Sequence, residues 1–184
     1  MSATTQLGKP SALALIVISV IGRLIPHPAN FTPLGATALF GGSKLERPWN
    51  YLAPLFVLFV TDLIIGLHGT MPYVYGAFVL NVWLGERLLS KRPKMLRVAG
   101  VGLTGAVMFF IISNFGVWME GVLYPKTLLG LIDCYIAALP FFTNTLAGDL
   151  IFAVSFFALY QFAENRSLTQ KFDKTVVEWL VVNR

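Results

Sequence analysis

The chain has 184 residues, of which 56% are hydrophobic and only 12% are charged, and its mean hydropathy is +0.71. Soluble globular domains carry roughly 25% charged residues, so this composition excludes an ordinary soluble fold and favours a membrane protein. The net charge of +5 does not indicate nucleic acid, because the basic residues gather between apolar segments, where membrane orientation explains them. A single cysteine, Cys134, excludes an internal disulfide and a zinc site built on paired cysteines.

Apolar segments follow one another along the whole chain. A helix needs about 20 residues to cross roughly 30 Å of hydrocarbon, and the alternation typical of β-barrel strands is absent. We therefore predict an all-α integral membrane protein that forms a single domain over residues 1–184, with about six transmembrane helices and an amphipathic C-terminal helix. The predicted transmembrane helices cover residues 10–25, 31–45, 51–67, 73–89, 98–119 and 138–163.

Two of these segments are unusual. The second is rich in glycine and alanine and too brief to cross a full bilayer by itself, so we expect a short, tilted, broken or partly re-entrant helix packed inside protein. The tail, residues 167–184, has apolar residues at helical spacing with Lys171 and Lys174 on other faces. It fits a helix on the inner leaflet of the membrane or a helix packed back on the bundle.

Lysine and arginine collect at residues 44–47, 87–97 and 166–174. Positively charged loops of membrane proteins stay in the cytoplasm. All three basic groups lie on the same side of the membrane only if the short second segment also crosses it. We therefore predict a multi-pass protein of the bacterial inner (cytoplasmic) membrane with both termini cytoplasmic. The outer connections would then be residues 26–33, 66–72 and 118–137.

Polar residues gather toward the predicted outer side. A charge near the bilayer midplane costs at least a few kcal/mol unless it is paired or hydrated, so several such groups indicate a polar cavity. The predicted substrate-binding residues are His27, Asn30, Asp62, Tyr75, Asn114, Trp118, Tyr124, Lys126, Cys134, Asn144 and Asp149.

Each of these residues also has a purely structural interpretation. Asp62 or Asp149 can form an ion pair with Arg23 that locks the helices, and Asn114 can hydrogen-bond between helices. The tyrosines and Trp118 can form an aromatic belt at the membrane boundary. The sequences around the two aspartates do not make an aspartyl-protease signature, and no nucleophile elbow, phosphate-binding loop or zinc motif is present. No enzyme activity and no catalytic residue is predicted.

Three segments carry a family resemblance: Arg23 to Ala36, Ser113 to Trp118, and Cys134 to Asp149. They resemble the DUF6580-type family of small bacterial membrane proteins, which are described as transport proteins of unknown function. The resemblance covers nearly the whole chain and implies membrane transport.

The six-helix architecture is also similar to the S-components of energy-coupling-factor vitamin transporters and to solitary BtuM-like cobalamin transporters. S-components carry an Ala-xxx-Ala pattern for docking to a coupling module, and here Ala12 and Ala14 have a different spacing. This likeness implies cobalamin as the most specific substrate, with His27 and Cys134 as metal ligands only if the ligand is a corrinoid. No resident cofactor is implied.

Two functions are therefore carried forward. The first is uptake of a small, vitamin-like solute that is captured in an outward-facing pocket, with the lipid bilayer, the solute and a coupling module or other membrane subunit as partners. The alternative is a non-transporting accessory or assembly subunit of a larger membrane complex.

Overall fold

A computed structural model describes residues 10–89 and 92–182, and these residues form seven α-helices and no β-strand. The all-α prediction is confirmed. Two helices, α5 and α6, are long and apolar enough to cross a membrane, and α1 and α3 are shorter apolar helices. The helices are α1 (Pro10–Leu24), α2 (Leu34–Lys44), α3 (Trp49–Ile65), α4 (Met71–Leu88), α5 (Met95–Glu120), α6 (Leu128–Asn165) and α7 (Leu168–Val182).

The observed bounds lie within three residues of the predicted ones for every helix except α6. The predicted tail ends at residue 184, and residues 183 and 184 lie outside the described part of the chain. The prediction that residues 118–137 form a long connection is wrong, because α6 begins at Leu128 rather than at residue 138. Its first turn is capped by Thr127, whose Oγ1 accepts a hydrogen bond of 3.1 Å from the N–H of Gly130. Polar residues inside the segment did not stop the helix.

Helix α2 lies in the middle of the bundle. It has 11 residues, which corresponds to roughly 17 Å, and all of them except Ser43 are buried. It packs against α1, α3, α4, α5 and α6 and is continuous throughout. The predicted short segment is therefore an unbroken helix enclosed by protein, which explains how so brief an element is accommodated.

The crossing of α2 and α4 depends on two glycines. A Cβ atom on Gly42 would lie 2.0 Å from the carbonyl oxygen of Val82, and a Cβ on Gly85 would lie 2.2 Å from that of Leu39. Both obstacles are backbone atoms, which cannot rotate away. The two helices therefore touch backbone to backbone, as is common where small residues meet in membrane proteins.

Aromatic rings surround the C-terminal half of α2. The ring of Phe40 makes edge-on contacts with Phe156, Phe157 and Tyr160 at centroid distances of 6.0, 5.2 and 5.4 Å. The buried ammonium of Lys44 lies over the rings of Phe157 and Tyr160, 5.5 and 5.0 Å from their centroids. Such cation–π contacts offset part of the cost of burying a charge.

The bundle has two chemically different ends. All but two of the described lysines and arginines lie at one of them, here called the basic end: Lys44, Arg47, Arg87, Arg92, Lys94, Arg97, Arg166, Lys171 and Lys174. Two ion pairs there join a connection to a helix, Arg47 with Glu86 of α4 at 2.9 Å and Arg92 with Glu164 of α6 at 3.5 Å. The hydrogen bond and the charge of Glu86 raise the pKa of Arg47 above its ordinary value. The opposite end, here called the far end, contains the connections 25–33, 66–70 and 121–127.

Helix α7 packs against α6 and α1. The carboxylate of Asp173 accepts hydrogen bonds from the backbone N–H and the hydroxyl of Ser11, at 2.8 and 3.3 Å. Yet Leu168, Phe172 and Trp179 stay exposed. The helix is thus attached to the bundle and still presents apolar side chains on its outside.

Candidate ligand cavity

A cavity of about 320 Å³ lies among α1 to α6 toward the far end of the bundle. Asn30 and His68, both exposed, line it from the loops before α2 and before α4, so the cavity reaches the surface there. Its other polar lining residues are Arg23, Thr32, Asn81, Ser113, Asn114, Thr145 and Asp149, and its aromatic lining residues are Phe78, Phe109, Phe110, Phe141 and Phe142. Mixed lining of this kind is typical of small-molecule sites.

The side chain of Asp149, a residue of α6, lies at the N-terminus of α2. Its buried carboxylate accepts hydrogen bonds from the backbone N–H groups of Gly35 and Ala36. The residue before α2 is Pro33, which makes no side-chain cap, so the cap comes from α6 instead. Gly35 makes this approach possible, because a Cβ atom there would lie 2.2 Å from Oδ1 of Asp149. A carboxylate at this position is stabilised by the helix dipole.

Arg23, which ends α1, is bound to α3. Its guanidinium donates to Oδ1 of Asp62 at 2.6 Å and to the carbonyl oxygen of Leu58 at 3.1 Å, and it also contacts the hydroxyl of Thr61. The hydroxyl of Tyr75 donates to the other oxygen of Asp62 at 2.9 Å. Arg23 and Asp62 therefore form a buried, hydrogen-bonded ion pair that is neutral as a unit.

The polar side chains of α5 in the cavity wall bond within their own helix. Asn114 donates to the carbonyl oxygen of Phe110 at 2.8 Å, and Ser113 donates to that of Phe109 at 2.7 Å. Asn81 of α4 differs, because it is 1% exposed and its Oδ1 has no hydrogen-bond partner among the described residues. A buried, unpaired amide oxygen costs about 1–3 kcal/mol.

Of the residues predicted to bind substrate, Asn30, Asn114 and Asp149 line the cavity. Asp62 lies behind its wall and contacts the wall residue Arg23, and Tyr75 in turn hydrogen-bonds to Asp62. The structure thus brings together five of the predicted residues around one space.

The remaining predicted residues have other partners. Both ring nitrogens of the exposed His27 face backbone carbonyl oxygens, that of Pro28 at 2.8 Å and that of Arg23 at 3.1 Å. Cys134 is buried, with its Sγ 3.4 Å from the carbonyl oxygen of Asn114. Neither lines the cavity, and the described residues contain no group of three or more side chains suited to hold a metal ion.

Three further predicted residues, Trp118, Tyr124 and Lys126, belong to the turn between α5 and α6 or border it. The indole N–H of Trp118 donates to the carbonyl oxygen of Pro125 at 3.0 Å, which closes the turn. Asn144 fastens a different connection, since its amide donates to the carbonyl oxygen of Ala29 at 3.0 Å. Trp118 and Asn144 thus hold connections of the far end in place, and none of these four side chains lines the cavity.

Sequence reasoning missed the aromatic wall. The rings of Phe110 and Phe142 are 4.8 Å apart, and those of Phe78 and Phe109 are 5.3 Å apart. The only signal is the pair of adjacent phenylalanines in α5 and again in α6. In an apolar helix that signal is uninformative, because phenylalanine also faces lipid or core.

Comparison with known proteins gives one match. A family model described as a family of unknown function, DUF6580, matches residues 6–172. The chain belongs to the DUF6580 family. No curated protein and no solved structure matches it, so the likeness to vitamin-transporter subunits stays a prediction.

Proposed function

We propose that this member of the DUF6580 family is a multi-pass membrane protein that captures a small solute in the cavity for uptake into the cell. The observation that carries the proposal is the cavity itself. An interior space with a buried carboxylate, an unpaired buried amide and aromatic walls is costly to maintain unless it binds something.

The exposed surface supports a membrane location. In the most apolar stretch of 18 residues, only 28% of the residues in α5 and 33% of those in α6 are buried. The core helix of a soluble protein is mostly buried. Large apolar side chains such as Phe56, Ile64 and Ile136 are more than half exposed. Contiguous apolar surface of this extent needs lipid or protein to cover it.

The two ends of the bundle support an orientation. Lysine and arginine are retained on the cytoplasmic side, so the basic end would face the cytoplasm. The far end, with Asn30 and His68 at the edge of the cavity, would then face outward. This is the arrangement needed to take up a solute from outside the cell.

The size of the cavity favours a small solute. Ligand pockets measure about 300–1,000 Å³, and this cavity lies at the lower limit. A corrinoid is larger than most drug-sized ligands, and His27 and Cys134 are not in the cavity wall, so we propose a compact vitamin-like solute rather than cobalamin. The chain contains no phosphate-binding loop, so ATP-driven uptake would need another protein.

An accessory subunit remains the second candidate function, and the exposed apolar side chains of α7 favour it. Leu168, Phe172 and Trp179 could be covered by a partner chain as well as by lipid.

Native mass spectrometry of the protein purified in mild detergent separates the two functions. We expect the wild-type protein to retain a small molecule and the Ala138→Phe variant to lose it, because Ala138 lines the cavity and a phenyl ring would fill it. Ala137→Phe is the matched control, since Ala137 is exposed and does not line the cavity. Retention of the molecule by Ala138→Phe, or a stoichiometric protein partner in place of any small molecule, would contradict the proposal.

A further inference from the structure

Three titratable side chains line the cavity: Arg23, His68 and Asp149. Arg23 carries a positive charge, but Asp62 lies 2.6 Å away and neutralises it. The two terminal guanidinium nitrogens donate toward α3, to Leu58, Thr61 and Asp62. The pair therefore contributes little net charge to the space.

Asp149 is different because its partners are neutral. The N–H groups of Gly35 and Ala36 are its hydrogen-bond donors, and no lysine, arginine or histidine of the described residues forms an ion pair with it. The N-terminus of α2 supplies roughly half a positive charge, so the ionised form of the carboxylate keeps a net negative charge. A carboxylate has about four acceptor positions, so two remain for a ligand.

The aromatic walls favour the same kind of ligand. Five phenylalanines line the cavity, among them Phe110 and Phe142, whose rings are in contact and tilted by 46°. The faces of such rings attract cations, and an anion would meet both the rings and the carboxylate of Asp149 unfavourably. The unpaired Oδ1 of Asn81 adds a further partial negative charge to the wall.

We infer that the solute is a small organic cation, with its charged nitrogen near Asp149 and its apolar part against the phenylalanines. This inference rests on the proposed function, since it names the class of solute for the same cavity. It accounts for a buried carboxylate that has no basic partner among the described residues and lies beside aromatic rings, an arrangement that a neutral or anionic solute does not require.

Three probes of the same shape test the charge directly: choline, the neutral 3,3-dimethylbutan-1-ol and the anionic 3,3-dimethylbutanoate. Binding to the purified full-length protein in lipid nanodiscs would be measured by isothermal titration calorimetry. We expect choline to bind at least about tenfold more tightly than the neutral compound, and the anion to bind most weakly. Equal or weaker binding of choline than of the neutral compound overturns the inference.

Asp149→Asn tests the residue, with Asp133→Asn as the matched control, because Asp133 is an exposed acid of the same helix that does not line the cavity. We expect Asp149→Asn to weaken choline binding by about tenfold or more and Asp133→Asn to leave it unchanged. If Asp149→Asn does not fold, the variant Phe110→Leu tests the aromatic wall instead, and Phe162→Leu is its control because Phe162 is exposed and does not line the cavity. We expect Phe110→Leu to weaken choline binding by about threefold or more and Phe162→Leu to leave it unchanged. Unchanged choline binding in the cavity variant that folds overturns the inference.

The two proposals fail separately. If the Ala138→Phe variant loses a bound solute and that solute is neutral or anionic, the inference of a cationic solute is wrong, but the proposal of solute capture stands. If Ala138→Phe changes the binding of no small molecule, solute capture itself is wrong.

Discussion

Asp149 and Gly35 act together, although 114 positions separate them in the chain. The acid caps a buried helix whose first N–H groups would otherwise have no partner, and the glycine leaves room for the carboxylate. Unpaired N–H groups in the interior are costly, so this contact stabilises α2 and forms part of the cavity wall at the same time.

Gly35→Ala tests the contact. The new Cβ atom would lie 2.2 Å from Oδ1 of Asp149, so the cap must shift or break, and we expect a loss of about 1–3 kcal/mol of unfolding free energy. Gly76→Ala is the control, since no atom lies within 4 Å of its added Cβ, and a helical alanine is favoured by about 0.5–1 kcal/mol. Denaturant unfolding in detergent measures both. Equal stability of the two variants would show that Asp149 does not hold α2 in this way.

The Arg23–Asp62 pair predicts a non-additive response. Asp62→Asn leaves the mostly buried guanidinium of Arg23 without its counter-charge, and we expect the free energy of unfolding to fall by about 3–5 kcal/mol. The double variant Arg23→Met/Asp62→Asn removes both charges and should be more stable than Asp62→Asn, and the single variant Arg23→Met completes the cycle. Lys174→Ala, which removes an exposed ion pair with Glu178 at 3.8 Å, serves as the control and should change little. Additive losses in the double-mutant cycle would exclude a coupled pair.

At the scale of elements, α2 organises the bundle. It is short and enclosed, and its backbone touches that of α4 at Gly42 and Gly85. Because α2 packs on five other helices, a displacement at this crossing moves the cavity wall as well. Gly42 and Gly85 therefore act through the close approach of two backbones and need no unusual dihedral angle.

Substitution at the crossing should be severe. Gly85→Ala and Gly42→Ala each place a Cβ atom about 2 Å from a backbone oxygen. We expect each variant to lose at least about 2 kcal/mol of unfolding free energy or to fail to fold. Gly100→Ala is the control, because nothing lies within 4 Å of its added Cβ. The monodisperse fraction in size-exclusion chromatography reports the difference. Normal yields of both crossing variants would mean that the two helices are farther apart.

At the scale of the whole molecule, charge and apolarity are arranged independently. Basic residues occupy one end, while apolar side chains cover the sides of α1, α3, α5 and α6. In the proposed topology, the basic end sets which side of the membrane it faces, and the apolar sides of the helices make lipid their surroundings. That topology therefore rests on two separate physical effects.

Cysteine accessibility tests that topology. In spheroplasts, a membrane-impermeant maleimide should label Lys126→Cys at the far end, and it should label Arg92→Cys at the basic end only after permeabilisation. The wild-type protein is the control and should stay unlabelled, because Cys134 is 2% exposed. Labelling of Arg92→Cys in intact spheroplasts, with Lys126→Cys protected, would reverse the orientation and close the cavity to the outside.

The sequence by itself determined where most helices lie and singled out Asp149 as an unusual residue. Helix positions follow from the lengths of apolar runs, which are local properties, and a carboxylate inside such a run is unusual enough to be noticed. Only α6 began far from its expected start, because Asp133 and Cys134 suggested a loop, whereas the cap at Thr127 starts a helix that carries them.

Only the tertiary structure decided which polar residues share a space. Asp62 and Asp149 look alike in sequence, yet one pairs with Arg23 and the other caps α2. His27 and Trp118 looked like ligand contacts, but both hydrogen-bond to nearby backbone carbonyls. The physical reason is that spacing along a helix defines its faces, whereas the neighbour that each face meets depends on packing between segments far apart in the chain.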